Sequence, residues 1–235
     1  MKVVILAGGY GTRISEYTKT IPKPMIKING IPLIKYIINH YSSYGHNDFY
    51  IALGYKGNVI KRYFRKFKNK KLKINLIDTG LKTMTGGRLR RLRKYFKNET
   101  FLATYGDGLS DVNISNLQEF HKSSSKLATL TAVKPPGRYG AIDLMDDDVI
   151  NFVEKPAGKS GVINGGFFVI EPCVFDFIDG DQTAWEDSPI NALIEQKQLV
   201  SYTHRGFWRP MDTLRDKNAL DESWKSGAAP WKIWQ

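Results

Sequence analysis

Apolar runs alternate with amphipathic stretches through the first half of the chain. Residues 2–7 carry Val3, Val4, Ile5 and Leu6 without a polar break, the pattern of a strand covered on both faces. Residues 32–44 place Ile34, Ile37, Ile38 and Tyr41 at helical spacing, and Pro32 suits a first-turn position. The same alternation continues with a strand at 48–53, a helix at 58–67, a strand at 72–78, a helix at 87–95, a strand at 101–105 and a helix at 114–123. Strands separated by helices predict a parallel sheet with right-handed crossovers.

The second half changes character. Residues 128–133, 141–144, 149–154 and 165–170 read as strands with short connections, and Asp146-Asp147-Asp148 is a turn signal joining two of them into a hairpin. No linker, repeat or low-complexity tract interrupts the 235 residues. The expected fold class is α/β: a Rossmann-like mixed, mainly parallel central sheet flanked by helices, with an added β-rich part. Residues 1–235 are expected to form one folding unit, with 1–125 mainly binding a nucleotide and 126–235 mainly binding a second substrate.

Composition narrows this picture. A hydrophobic content of 42% over this length supports a sizeable core. No apolar run is long enough to span a bilayer, so no membrane insertion is expected. The first residues read as a strand broken by Gly8-Gly9 and not as a signal peptide. Cys173 is the single cysteine, which excludes an internal disulfide and fits a reducing, cytoplasmic setting. Its neighbours Pro172, Val174 and Phe175 suggest a buried helix start, so it reads as core. The net charge of +12 attracts polyanions, nucleic acid and nucleoside triphosphates alike. The basic residues cluster in runs at 61–73 and 88–97; the first contains no recognised nucleic-acid module, and a solvated face is its ordinary reading.

The densest chemical signal is MKVVILAGGYGTRISEYTKTIPKPM, residues 1–25. A strand runs into a turn containing Gly8, Gly9 and Gly11, followed by Thr12, Arg13 and, between two prolines, Lys23. Glycines let backbone N–H groups approach an anion, and Arg and Lys add charge where phosphate oxygens would lie. The dinucleotide fingerprint fails because Gly9-Tyr10-Gly11-Thr12-Arg13-Ile14 ends in isoleucine, and no Gly-Lys-Ser/Thr closes a P-loop. What remains is a triphosphate cradle at the carboxyl end of a strand, set against a plain strand-to-helix turn with surface charges.

Asp107 in TYGDG sits just past an apolar strand, at the edge where that cradle opens. It is either a metal-holding carboxylate or an ordinary Asp-Gly turn. Asp212 in RPMD is a second carboxylate, or the cap of a helix starting near Thr213. Gly86-Gly87 can bring backbone close to a flat ligand, whereas Thr85 reads as the cap of a basic helix whose Arg88, Arg90, Arg91 and Arg93 are solvated. Glu154-Lys155-Pro156, Gly140 and Asn164 read, on their own, as hairpin-end residues. Trp208 reads as packing. The histidines have no metal-ligand spacing, so zinc is not expected.

GGYGTR followed by PKP resembles the sugar-phosphate nucleotidyltransferases. Further blocks match in order: DTGLKTMTGGRLRR, TYGDGLSDVNI, ATLTAVKPPGRYGAID, EKP, INGGFFVI and GFWRPMDTLRDKNAL. The resemblance is strongest to the branch that transfers a cytidylyl group from CTP to α-D-glucose 1-phosphate, releasing pyrophosphate. It implies a type A-like nucleotidyltransferase fold in which the β-rich part binds the sugar. It implies Lys23 as the catalytic cation, with Arg13 on the β- and γ-phosphates. It implies Leu6, Gly8, Gly9, Gly11, Thr12, Gly86, Arg88 and Asp107 around the nucleotide, and Mg²⁺ held by Asp107 and Asp212. The sugar phosphate would meet Lys155, Glu154, Gly140, Asn164 and Trp208. The implied partners are CTP and a sugar 1-phosphate in a homo-oligomer, without nucleic acid.

Other readings keep this chemistry with another sugar or polyol phosphate, or with UTP or dTTP. A different class is a silent regulatory or RNA-binding module on the same fold. The chain departs from the family pattern at Ile21, where a cation is usual, and at the short lysine-rich link 65–73.

Overall fold

A computed structural model of the chain describes residues 1–67, 69–136, 141–145, 148–153 and 161–234. Its elements begin with β1 (Lys2–Ala7), α1 (Ser15–Thr18), β2 (Lys27–Ile28), β3 (Ile31–Pro32), α2 (Leu33–Ser43), β4 (Asp48–Leu53), α3 (Gly57–Arg65) and β5 (Lys73–Asp78). They continue through α4 (Thr85–Leu92), β6 (Phe101–Tyr105), β7 (Gly108–Ser110), α5 (Ile114–Ser124), β8 (Ala128–Val133), β9 (Ala141–Met145) and β10 (Asp148–Val153). The rest are β11 (Ile163–Asn164), β12 (Phe168–Ile170), α6 (Ser188–Glu195), β13 (Leu199–His204), β14 (Trp208–Pro210) and α7 (Leu214–Lys225).

The main sheet is mixed. Strands β5, β4, β1 and β6 run parallel, and β12 then pairs antiparallel with β6. Strand β8 pairs antiparallel with β12 and β11 and parallel with β13. Strands from both halves of the chain therefore share one sheet. Val3 and Ile5 face a core that includes Ile34, Ile37 and Leu117, whereas Val4 and Leu6 face one built around Leu89, Phe101 and Trp185. That double covering is why β1 shows no polar alternation. Each such buried aliphatic side chain contributes roughly 1.5–3 kcal/mol.

Several local expectations change. Pro32 is the extended N-cap of α2 and not its first turn, because it still belongs to β3. The helix expected at 87–95 begins at Thr85 and tightens into a 3₁₀ turn at Arg93–Tyr95. The strand expected at 165–170 shortens to β12 at Phe168–Ile170, because Gly166 and Phe167 take positive φ, and β11 lies just before the expected range. Cys173 does lie at the start of a 3₁₀ helix, Pro172–Phe177, but is exposed; Val174 and Phe175 take the inward positions. Strands β9 and β10 do pair antiparallel. Among the described residues no helix is long and apolar enough to cross a membrane.

Two histidines make stability depend on acid. His40 is buried with Nε2 on the Val112 carbonyl, and His46 lies against the N-terminal amine. Burial pushes both down to about 4. The unfolded chain takes up these protons near pH 6.5 and the folded chain resists until about 4. Stability is therefore full above about pH 6.5 and falls by about one kcal/mol per pH unit per histidine between those values. Thermal melts should show a lower Tm at pH 5 than at pH 7, with a shallower slope in His46→Gln.

Candidate active site

Strand β1 lies between β4 and β6, so its carboxyl end is a switch point where crevices open in doubly wound sheets. Leu6 is in register with Tyr105, which sets the glycine turn beside the segment Gly106-Asp107. Gly11 has φ +64°, and an added Cβ would lie 2.9 Å from Thr18 and 3.1 Å from the Lys23 side chain. Gly9 has open space where a Cβ would be. Gly8 is required for a different reason: its Cβ would lie 2.2 Å from the Arg88 guanidinium.

Arg88 is buried, not solvated. It donates to the carbonyls of Gly8 and Leu53 at 3.0 Å, and to Gly80 O and Thr79 Oγ1 at 2.8 Å. Burial lowers its pKa, but a guanidinium stays charged. It is a peg behind the glycine turn that also reaches the cavity wall, while Arg90, Arg91 and Arg93 are exposed as expected. Thr85 does not cap α4: Met84 is the N-cap, and the Thr85 hydroxyl bonds Glu186 instead. Gly86 and Gly87 lie against segment 181–185, where Cβ atoms would meet Thr183 O at 2.8 Å and Asp181 O at 2.5 Å. The close approach there is protein to protein.

Lys23 opens the 3₁₀ turn Lys23–Met25 after an extended Pro22. The side chain is almost fully buried, and its ammonium donates to Asp107 Oδ2 at 2.7 Å and Asp212 Oδ1 at 2.5 Å. Arg13, mostly exposed, donates to Asp212 Oδ2 at 2.6 Å. The two acids meet because β7 and β14 form a short antiparallel ribbon, extended by Met211 N–H on the Asp107 carbonyl at 2.8 Å. Asp212 is not the helix cap. Thr213 and Asp216 form a reciprocal capping box for α7, so the Asp212 carboxylate points at the cations. Burial alone lowers the Lys23 pKa, but Asp107 and Asp212 outweigh it and hold it above the usual lysine value.

Two cavities meet here. One, of about 440 Å³, is lined by Leu6, the glycine turn, Thr12, residues 81–85 and Arg88. The other, of about 590 Å³, is lined by Asn164, Trp208, Ile163 and the Pro135-Pro136 segment. Trp208 walls it and donates from Nε1 to Gly165 O at 2.8 Å. Asn164 Nδ2 donates to the Tyr105 hydroxyl at 3.3 Å. Gly86 lines neither cavity. Gly140, Glu154 and Lys155 lie outside the described residues. Ile21 packs against the core, lines a separate cavity together with Tyr17 and Met25, and does not line the cavity at the glycine turn. Tyr105 and Glu186 line both cavities and were not anticipated; Glu186 sits in an irregular loop whose sequence carries no spacing signal.

The donor set suits a hard dication. Two carboxylates converge on one ammonium, and Mg²⁺ needs few protein oxygens when phosphates and waters complete its shell. Among the described residues no cluster of three or more His, Cys, Asp or Glu side chains forms a self-sufficient metal cage.

A cation pinned between two acids lies at a glycine turn facing two adjoining cavities on this sheet. The chain belongs to the nucleotidyl transferase family, whose model matches residues 2–216. It is 48% identical, over the whole of both chains, to the glucose-1-phosphate cytidylyltransferase of Salmonella typhi. It is 38% identical, again over both full lengths, to the probable glucose-1-phosphate cytidylyltransferase of Bacillus subtilis. The fold matches that of HddC from Yersinia pseudotuberculosis complexed with GMP-PN, with TM-score 0.73 and 24% identity over 95% of this chain and 99% of that one.

Proposed function

We propose that this chain transfers a cytidylyl group from CTP to α-D-glucose 1-phosphate, giving CDP-glucose and pyrophosphate. The observation that carries the chemistry is the Lys23–Asp107–Asp212 cluster at the meeting of the two cavities. The substrate pair comes from the full-length likeness to the Salmonella enzyme.

The attacking sugar phosphate is already ionised at neutral pH, so no general base or protein nucleophile is needed. Lys23 stabilises charge that builds on the α-phosphoryl oxygens. Arg13 turns from Asp212 to the β- and γ-phosphates, and the glycine turn admits them closely. Asp107 and Asp212 would hold Mg²⁺, which supplies further charge neutralisation at the transferring group. Asn164 and Trp208 shape the acceptor side, and Lys155 and Glu154 are assigned to the sugar phosphate by family likeness.

Pyrophosphate release across CTP, UTP, dTTP, GTP and ATP with several sugar 1-phosphates tests this directly. CTP with glucose 1-phosphate should give the highest kcat/KM. Release with no pair would end the enzyme reading, and release confined to UTP or dTTP would end the cytidylyl one.

A further inference from the structure

Arg13, Tyr105, Asp107 and Glu186 are common to both cavity walls. Arg13 and Asp107 have roles above; Tyr105 and Glu186 have none. Glu186 follows the fully buried Trp185 in the loop before α6. Its Oε1 accepts from the Tyr105 hydroxyl at 2.6 Å and its Oε2 from the Thr85 hydroxyl at 2.6 Å. Trp185 N–H donates to that same Thr85 oxygen at 2.9 Å, so loop backbone and carboxylate grip one residue at the start of α4. Burial, reinforced by the nearby Glu186 charge, raises the Tyr105 pKa, so the phenol keeps its proton and must donate.

The carboxylate is therefore fixed from behind by two hydroxyl donors, while its residue remains exposed toward the cavities. Each oxygen can accept about two hydrogen bonds and carries one. A phosphate is repelled there; a ligand hydroxyl is suited to the remaining acceptor positions. On the proposed function, with the phosphates toward Arg13 and Lys23 and the base toward residues 81–85 of the same cavity lining, the ribose would cross the Tyr105–Glu186 wall.

We propose that Glu186 accepts a hydrogen bond from the ribose diol of the bound nucleoside triphosphate, and so selects ribonucleotides over deoxyribonucleotides. Tyr105 and Thr85 are its positioning residues. This rests on the nucleotidyl-transfer reading above, and the test separates the two.

Turnover and calorimetric binding are measured for CTP, 2′-deoxyCTP and 3′-deoxyCTP in wild type, Glu186→Ala and Glu186→Gln. Wild type should prefer CTP over at least one deoxy analogue by about tenfold or more, the scale of one hydrogen bond to a charged acceptor. In Glu186→Ala that ratio should collapse toward one, through loss on CTP with the deoxy analogue unchanged. Glu186→Gln, which keeps shape and one acceptor oxygen, should fall between and serves as the reading if the alanine variant does not fold. Equal losses on all three nucleotides, an unchanged ratio, or a wild type indifferent to the diol would each overturn the proposal. If wild type is inactive with CTP, the functional reading fails instead, and the ratio is still read from binding.

Discussion

Lys23→Met should lower kcat by about two to three orders of magnitude, the size of losing one preorganised transition-state contact. Methionine keeps the length and apolar stem of the side chain and removes only the ammonium. In the free protein that ammonium is the shared counterion of Asp107 and the buried Asp212. On the proposed function, substrate phosphates and a dication would relieve it of that duty, and it would then meet the α-phosphate. Affinity for CTP should fall much less than turnover, because the charge Lys23 answers develops in the transition state. The raised pKa means the ammonium is present throughout the neutral and mildly alkaline range. Its stabilising contribution is full below the unfolded value of 10.5 and is lost only as pH rises beyond that. Wild-type rate should therefore show no limb from Lys23 below about pH 10. Steady-state kinetics with CTP titrated at saturating glucose 1-phosphate checks both parts. A variant with unchanged kcat would make Lys23 a structural counterion only.

The glycine turn was legible because everything it needs is local. A strand with no polar break, three glycines and a cation between prolines lie within residues 3–24, and the structure keeps them together. The pairing of Asp107 with Asp212 was not legible from the residues alone. Both bond Lys23, from 84 and 189 positions away, and what joins them is a ribbon of three residues per strand. Strands that short carry almost no periodic signal. Only family likeness proposed the pair.

Arg88 shows a different limit. Four arginines in one basic helix look alike in sequence, and helical spacing cannot say which one turns inward. Its burial depends on Gly8 and Gly54, where Cβ atoms would lie 2.2 and 2.5 Å from the guanidinium. Thr85 was misread for a related reason. A threonine before a helical run is a good cap in general, but here a partner about a hundred residues away takes its hydroxyl. Cys173 was misplaced because apolar neighbours suggested burial, whereas a 3₁₀ turn buries Val174 and Phe175 and leaves position 173 outside.

Asp107→Asn is the sharper test of what the acids are for. Asp107 is partly exposed and holds a single bond to Lys23, whereas Asp212 is buried and bonded to both Lys23 and Arg13. Asparagine at 107 keeps the shape, and its carbonyl can still accept from Lys23, so the fold should survive with Tm shifted by a few degrees at most. The electrostatics change completely. Losing one of two hard anionic oxygens should weaken the proposed Mg²⁺ site, which would have few protein ligands to begin with. The half-saturating Mg²⁺ concentration should rise by about tenfold or more, and kcat at saturating metal should fall by about two orders of magnitude. Metal-free CTP binding should be equal or tighter, because a negative charge beside the triphosphate has gone. That opposite movement separates the two possible duties of Asp107. A carboxylate that serves only as counterion to Lys23 would leave the Mg²⁺ titration of pyrophosphate release where it was, and its loss would register in thermal stability alone.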